Sequence, residues 1–286
     1  MKNLTVLVLS LLAGVSSPLM VMAQTPAVAA SAASAPAALA VKLDPEKSPR
    51  YPWQALPPRA TADAYFTNLK DGDKIETPFR ATFGLSGGWG LAPIAKPMNG
   101  RNGHHHLLVN RELPLDFKQA LPFDERYIHF GKGQMDTVLN FPPGTYNLRL
   151  LLADDQHLPH YVYSKPLHIT VTRKRDDVDP KTLVQKGVAL LNLTDGQRVK
   201  PPFRVQFHAS GLNIGNSVQK EAGTGHFRLT VTPQTGKPVE MLFPNGETET
   251  WLAPPAGAYI LKLDLVDNVN PSALLSEAQP LTLRVD

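Results

Sequence analysis

Apolar positions in this chain recur with a period of two, over short stretches cut by Gly, Pro and Asn/Asp clusters. Leu148, Leu150 and Leu152 alternate with Asn147, Arg149 and Leu151, and the same alternation returns in Leu167, Ile169, Val171 and in Leu281, Leu283, Val285. Successive side chains of a strand point to opposite faces of its sheet, so this period predicts β-strands and not helices, whose period is 3.6. Turn signals separate the stretches roughly every ten residues, the spacing expected of a β-sandwich.

The pattern occurs twice, in the same order. Asn68-Leu69-Lys70-Asp71-Gly72 matches Asn192-Leu193-Thr194-Asp195-Gly196, and Pro78-Phe79-Arg80-Ala81-Thr82-Phe83 matches Pro202-Phe203-Arg204-Val205-Gln206-Phe207. Pro143-Gly144-Thr145-Tyr146 then matches Ala256-Gly257-Ala258-Tyr259 ahead of a long strand in each copy. These blocks predict an all-β chain of two tandem immunoglobulin-like β-sandwich domains from an internal duplication, residues 64–173 and 188–286, joined by a charged linker at 174–187 that holds Pro180. Tyr146 and Tyr259 are expected at equivalent corners, where a tyrosine hydroxyl ties a crossover to the sheet.

The N-terminal segment follows a different logic. Lys2 precedes an apolar run from Leu4 to Val15, and Val21-Met22-Ala23 fits a small-residue cleavage site. Residues 1–23 therefore read as a signal peptide, too short in its apolar part to span a bilayer, with export to the periplasm or medium as the expectation. No later stretch is apolar enough to anchor the chain in a membrane. Residues 24–60, rich in Ala, Pro and Ser, read as a flexible linker. Exported domains often use disulfides, but this chain contains no cysteine, so its cores must hold it together and any metal ligands must be His, Asp, Glu or Met. A formal net charge of +4 is spread thinly, without the long basic run expected of a nucleic-acid partner.

The candidate chemistry is a set of histidines that the duplication does not share. Gly103-His104-His105-His106-Leu107-Leu108-Val109 corresponds to Gly225-His226-Phe227-Arg228-Leu229-Thr230-Val231, and Tyr127-Ile128-His129-Phe130 corresponds to Glu240-Met241-Leu242-Phe243. The loop Asp154-Asp155-Gln156-His157-Leu158-Pro159-His160 corresponds to Asp267-Asn268-Val269-Asn270-Pro271. The second copy keeps His226 alone at the matching places, so the fold forms without the rest of these imidazoles. Alternation places Phe227, Leu229 and Val231 on the core face. By analogy His105 faces the core, while His104 and His106 face outward with Cα atoms about 7 Å apart. His129 points the same way as that pair. Neutral imidazole suits copper, zinc, nickel and iron, so His104, His106, His129, His157 and His160 are candidate ligands, with His105 and Asp154 in support. Met98 and Met135, near the histidines in sequence, tilt the expectation from zinc towards copper because thioether sulfur favours Cu(I). The plainer alternative is that each imidazole is a half-buried polar side chain bonded to backbone.

The three motifs Gly103–Leu108, Ile128–Gly131 and Leu150–Asp154 with its His157-Leu158-Pro159-His160 loop resemble the bacterial domain-of-unknown-function family 4399 over residues 79–171. That resemblance implies a small exported β domain with a histidine-rich face and carries no assigned activity.

Two other signals are weaker. Gly84-Leu85-Ser86-Gly87-Gly88 fits the hydrolase elbow G-x-S-x-G, but Gly90 and Pro93 follow where a helix is required, so the stretch reads as a glycine loop with Trp89 at an exposed tip. Asp154 is the only general base the histidines suggest, which weighs against an enzyme. Two functions stand ahead of an enzyme, which would need three histidines with an open position for metal-assisted hydrolysis or oxygen chemistry: an exported protein binding copper or zinc through the first domain, or a cell-envelope module that presents loops to an envelope protein or to peptidoglycan and whose histidines are incidental.

Overall fold

The structure, a computed structural model, describes residues 50–58, 62–95, 100–114 and 116–286. The expected signal peptide, most of the expected linker and Met98 lie outside the described residues. Among the described residues there are strands, turns and one 3-10 turn (Pro180–Leu183) but no α-helix.

A short strand β1 (Gln54–Ala55) precedes the first copy. That copy comprises β2 (Ala64–Phe66), β3 (Lys74–Thr77), β4 (Phe79–Leu85), β5 (Gly90–Leu91), β6 (Asn102–Val109), β7 (Tyr127–His129), β8 (Asp136–Leu139), β9 (Gly144–Ala153), β10 (Pro159–Tyr163) and β11 (Leu167–Lys174). The second repeats the series as β12 (Gly187–Leu190), β13 (Gln197–Val199), β14 (Phe203–Ser210), β15 (Asn213–Ile214), β16 (Thr224–Pro233), β17 (Val239–Phe243), β18 (Glu249–Leu252), β19 (Gly257–Asp267), β20 (Leu274–Glu277) and β21 (Leu281–Val285). In each copy a seven-stranded sheet faces a smaller one. The large sheets run β3-β11-β9-β6-β5 and β13-β21-β19-β16-β15, with β7 and β17 pairing β6 and β16, and β10 and β20 pairing β9 and β19. The small sheets are β2-β4-β8 and β12-β14-β18, the second extended by β1. Identical strand order makes the chain an all-β duplication of one sandwich.

The alternation explains the cores. Leu107, Leu148, Leu150, Leu152, Ile169 and Val171 of the first large sheet turn inward and are buried, as are Phe227, Leu229, Val231, Leu261, Leu263 and Leu265 of the second. Phe83 packs against Phe130 at 5.0 Å and edge-on against His105 at 4.9 Å between ring centroids. Phe207 packs in the same way against Phe243 and Phe227. The corner tyrosines are equivalent: Tyr146 Oη donates to the Pro142 carbonyl at 2.9 Å and Tyr259 Oη to the Pro255 carbonyl at 2.8 Å.

One expectation changes. The linker was read as running to residue 60, yet β1 pairs Gln54 and Ala55 with Leu252 and Trp251, and Trp53 lies edge-on to Tyr259 at 5.7 Å. Tyr51, Trp53 and the free edge of β18 supply what composition alone did not show: aromatic surface to bury and a backbone ladder to join. The two copies share one compact unit. Leu91 N–H donates to the Gly246 carbonyl at 2.9 Å, and its counterpart Ile214 N–H donates to the carbonyl of Gly133, the counterpart of Gly246, at 3.0 Å. Such reciprocity is that of a two-fold, isologous interface formed within one chain. Around it, Ser210 Oγ donates to Asp136 at 2.6 Å and Arg80 donates to Ser210 Oγ at 3.1 Å. In the mirrored position Tyr65 Oη donates to Glu249 at 2.7 Å, and Arg204 donates to the same carboxylate from Nε at 2.8 Å while lying over the Tyr65 ring. His208 is buried here beside Asp136.

Candidate metal centre

Strand pairing assembles three of the candidate histidines. His104 and His106 project from the same face of β6, and β7 lies alongside with His129 directly opposite His106. The fourth comes from the β9–β10 loop. Asp154 Oδ1 accepts from the N–H groups of Gln156 at 2.9 Å and Leu158 at 2.8 Å, and the Asp154 carbonyl accepts from His157 N–H at 2.9 Å. This tight turn holds His157 in the left-handed region at φ 64° and swings its ring over the sheet. One nitrogen from each of His104, His106, His129 and His157 lies within 4.8 Å of those of the other three. The closest approaches are His104 Nε2 to His106 Nε2 at 2.9 Å and His157 Nε2 to His129 Nε2 at 3.3 Å.

His160 stays outside this cluster. Its ring lies against Trp89 at 4.6 Å and its Nε2 faces the Asn102 carbonyl at 3.1 Å, because β10 has already begun and directs it away from the other rings. His105 faces the core, as alternation requires, and its partner is Phe83; it touches the candidate site only through the strand they share. Asp154 supports the site by shaping the turn. Met135 is fully buried in the sandwich core, on the other side of the sheet, so it offers no sulfur to the site. Trp89, expected at an exposed tip, is partly buried against the core. Ser86 binds Asp63 through its hydroxyl and sits in a strand-loop setting with no helix after it.

The outward face of β6 is not open to solvent. His104 and His106 are 1% and 0% exposed. The connection from β6 to β7, residues 110–126, is much longer than its counterpart at 234–238 and folds back over this face. Leu121 from this connection joins Leu108, Leu151 and Ala153 in a small second core, and its N–H donates to the His157 carbonyl at 2.9 Å. Phe123 lies against His157 at 4.4 Å and His129 at 5.3 Å between ring centroids, with its outer side exposed. Sequence reasoning did not pick out Phe123; the unequal length of the two connections was the available signal.

Burial dominates the electrostatics. It pushes the His104 imidazolium down to about 2, helped by His106 and His129, and that of His106 down to about 3, helped by His129 and His157. Burial also lowers His129, with His157 adding to the effect. The rings of His104, His106 and His129 are therefore held in the neutral form, the one that binds metals. The Nδ1 atoms of His104 and His106 are buried without a hydrogen-bond partner among the described residues. Unpaired buried polar groups cost stability, and neutral rings crowded nitrogen to nitrogen cannot all donate and accept. A cation at the centre would take the converging Nε2 lone pairs and so relieve the crowding, leaving the proton of each ring on Nδ1. In the second copy the same place is filled differently: Arg228 stands where His106 does and pairs with buried Asp264 at 2.7 Å, and His226 Nδ1 bonds Asn268 at 2.7 Å.

Fold and cluster together define the class: a duplicated immunoglobulin-like β-sandwich protein with a cluster of four imidazoles in its first copy. The chain belongs to the family described as domain of unknown function DUF4399, whose profile matches residues 81–172 and again residues 205–286. The second match extends the likeness, expected only over 79–171, to the copy that lacks the cluster. Comparison with curated proteins gives no match. Among solved structures, the chain is similar to the fibronectin(III)-like modules of Clostridium thermocellum CbhA, at 8% identity and a TM-score of 0.24 over 78% of this chain and 92% of that one. It is also similar to the FN1–FN3 domains of chicken CNTN1, at 9% identity and a TM-score of 0.24 over 76% of this chain and 67% of that one. A two-domain fibronectin type III segment of chicken tenascin matches at 12% identity and a TM-score of 0.19 over 77% of this chain and 95% of that one.

Proposed function

We infer that this is an exported protein that binds a transition-metal ion, copper or zinc, through His104, His106, His129 and His157. The observation that carries this reading is the convergence of four imidazoles, two of them fully buried, at a place where the second copy folds with an arginine–aspartate pair instead. Structural use alone does not account for it, since the duplicate packs its sheet with only one of the four, His226 at the place of His104. The apolar run and cleavage-type sequence at the N-terminus support export. No helix among the described residues is long and apolar enough to cross a membrane.

The test is metal content of untagged protein purified from the periplasm, followed by calorimetry of the metal-free protein with Zn(II) and copper. One ion per chain is expected. Replacing His104 and His106 together with Ala should abolish binding and leave the β-fold intact by circular dichroism, whereas His226→Ala should bind as the parent does. Absence of binding by the unmutated protein would sink the reading. It would favour the second one, an envelope interaction module, for which the specific support is the aromatic surface of the first copy: Phe117 stacks on Tyr161 at 4.4 Å, and Tyr161 is 77% exposed.

A further inference from the structure

The arrangement of the four rings says more about the ion than the donor type does. We propose, building on the metal-binding reading above, that the centre is a closed, four-coordinate, tetrahedral site matched to zinc(II), with Phe123 shutting its solvent side, so that the ion is held and not used as a catalyst.

The argument is geometric. Four rings have six pairwise separations, and here their centroids lie 4.8 Å apart for His104–His106, 4.6 for His104–His129, 5.2 for His104–His157, 5.1 for His106–His129, 5.7 for His106–His157 and 4.9 for His129–His157. A square arrangement makes two of the six longer than the rest by about 1.4-fold, whereas a tetrahedron makes all six equal. Here the largest exceeds the smallest by about a quarter: two of the three pairs of opposite edges agree, 4.8 with 4.9 Å and 5.2 with 5.1 Å, and the third, 4.6 with 5.7 Å, carries the spread, short of the 1.4-fold that a square requires. A zinc–nitrogen bond of about 2.0–2.1 Å plus a ring radius of about 1.1 Å gives a tetrahedral centroid edge of roughly 5.2 Å, in the middle of the observed range.

Copper(II) and nickel(II) prefer square or tetragonal surroundings. Reaching those would mean flattening three rings whose backbones are fixed by ladders, His106 opposite His129 and His104 opposite Ala153. Copper(I) accepts a tetrahedron but favours thioether sulfur, and Met135 is buried in the core on the other side of the sheet. A catalytic zinc keeps three protein ligands and an open fourth position. Here His157 supplies the fourth nitrogen, the two strand histidines are buried, and Phe123 packs on the rings of His157 and His129, the two nearest solvent.

The experiment uses the full mature chain, stripped of metal and loaded with cobalt(II) as a spectroscopic stand-in for zinc. The expected result is the intense visible absorption of four-coordinate cobalt. His157→Ala should weaken that absorption as water enters, and Phe123→Ala should keep it while a chelator removes zinc about tenfold faster. A faint, six-coordinate cobalt spectrum, or stoichiometric copper in place of zinc in protein isolated from the periplasm, would overturn the proposal while leaving metal binding itself in place. An unchanged rate of removal in Phe123→Ala would overturn the closing role of that residue. If neither zinc nor cobalt nor copper binds at all, the underlying reading fails instead.

Discussion

At the scale of single residues, what matters is where each imidazole points and what its burial costs. His105 sits fully buried against Phe83, where the second copy has Phe227 against Phe207, and burial pushes its imidazolium down to about 3. His104 and His106 are held similarly low, at about 2 and about 3. An unfolded histidine takes its proton near pH 6.5. Between that value and the folded one, the unfolded chain therefore binds more protons, so stability of the metal-free protein is fully present above pH 6.5 and falls as pH drops towards 3. Each of the three contributes a slope of about 1.4 kcal/mol per pH unit in that window. His105→Phe should remove one such contribution without disturbing the fold, because the duplicate already packs phenylalanine there. Urea unfolding of metal-free protein at pH 6 and pH 4 would show it, and an unchanged slope in the variant would count against the burial argument. The facing of these side chains was legible from alternation alone, since Phe227, Leu229 and Val231 fix the phase of the strand. Burial of His104 and His106 was not, because the chain that covers them lies at 110–126 and no local pattern says where a long loop returns.

At the scale of elements, the candidate site is a ladder plus a turn. Strands β6 and β7 place His104, His106 and His129 by register, which the repeat made readable once the strands were aligned. Choosing between His157 and His160 needed the turn itself. Asp154 caps the N–H groups of Gln156 and Leu158, and this cap forces the left-handed backbone at His157 that brings its ring inward. Two residues further on, β10 has begun and His160 faces Asn102. Asp154→Ala should therefore behave as a positioning change. Losing two caps of about 1 kcal/mol each frees the turn. Zinc affinity is expected to fall about tenfold, with the cobalt spectrum moving towards that of His157→Ala. Asp154→Asn, whose amide oxygen can still accept, should restore most of the affinity. Equal losses for Ala and Asn would point instead to the carboxylate charge.

At the scale of the whole molecule, the duplication does more than supply a spare sandwich. Two tandem domains were legible in the ordered repeat, but their packing was not, because the contacts that join them, backbone carbonyls at glycine turns and polar side chains such as Tyr65 with Glu249 and Ser210 with Asp136, carry no periodic hydrophobic signature. Gly133 and Gly246 occupy equivalent turns at φ 82° and φ 80°. A Cβ on Gly133 would lie 1.9 Å from the Ile214 carbonyl oxygen, and one on Gly246 would lie 2.2 Å from that of Leu91. Both positions need glycine, for the conformation and for the close approach. Their surroundings differ in one respect that bears on function. The turn holding Gly133 follows directly from His129: Phe130 N–H donates to the His105 carbonyl at 3.0 Å, and Gly131 lies so near the His129 ring that a Cβ there would come within 2.2 Å of it. The second copy thus buttresses the turn that sets the third imidazole. Gly133→Ala and Gly246→Ala should each destabilise the full chain by roughly 1–3 kcal/mol, by similar amounts because the interface is two-fold. Only Gly133→Ala should also weaken zinc binding, since it displaces the turn beside His129, whereas Gly246→Ala disturbs the mirrored turn after Phe243, where no ligand stands. Thermal unfolding and zinc titration of the two variants separate these effects. Equal losses of affinity would mean that the interface acts on the centre globally, and no loss in either would mean that the first copy holds its histidines without help from the second.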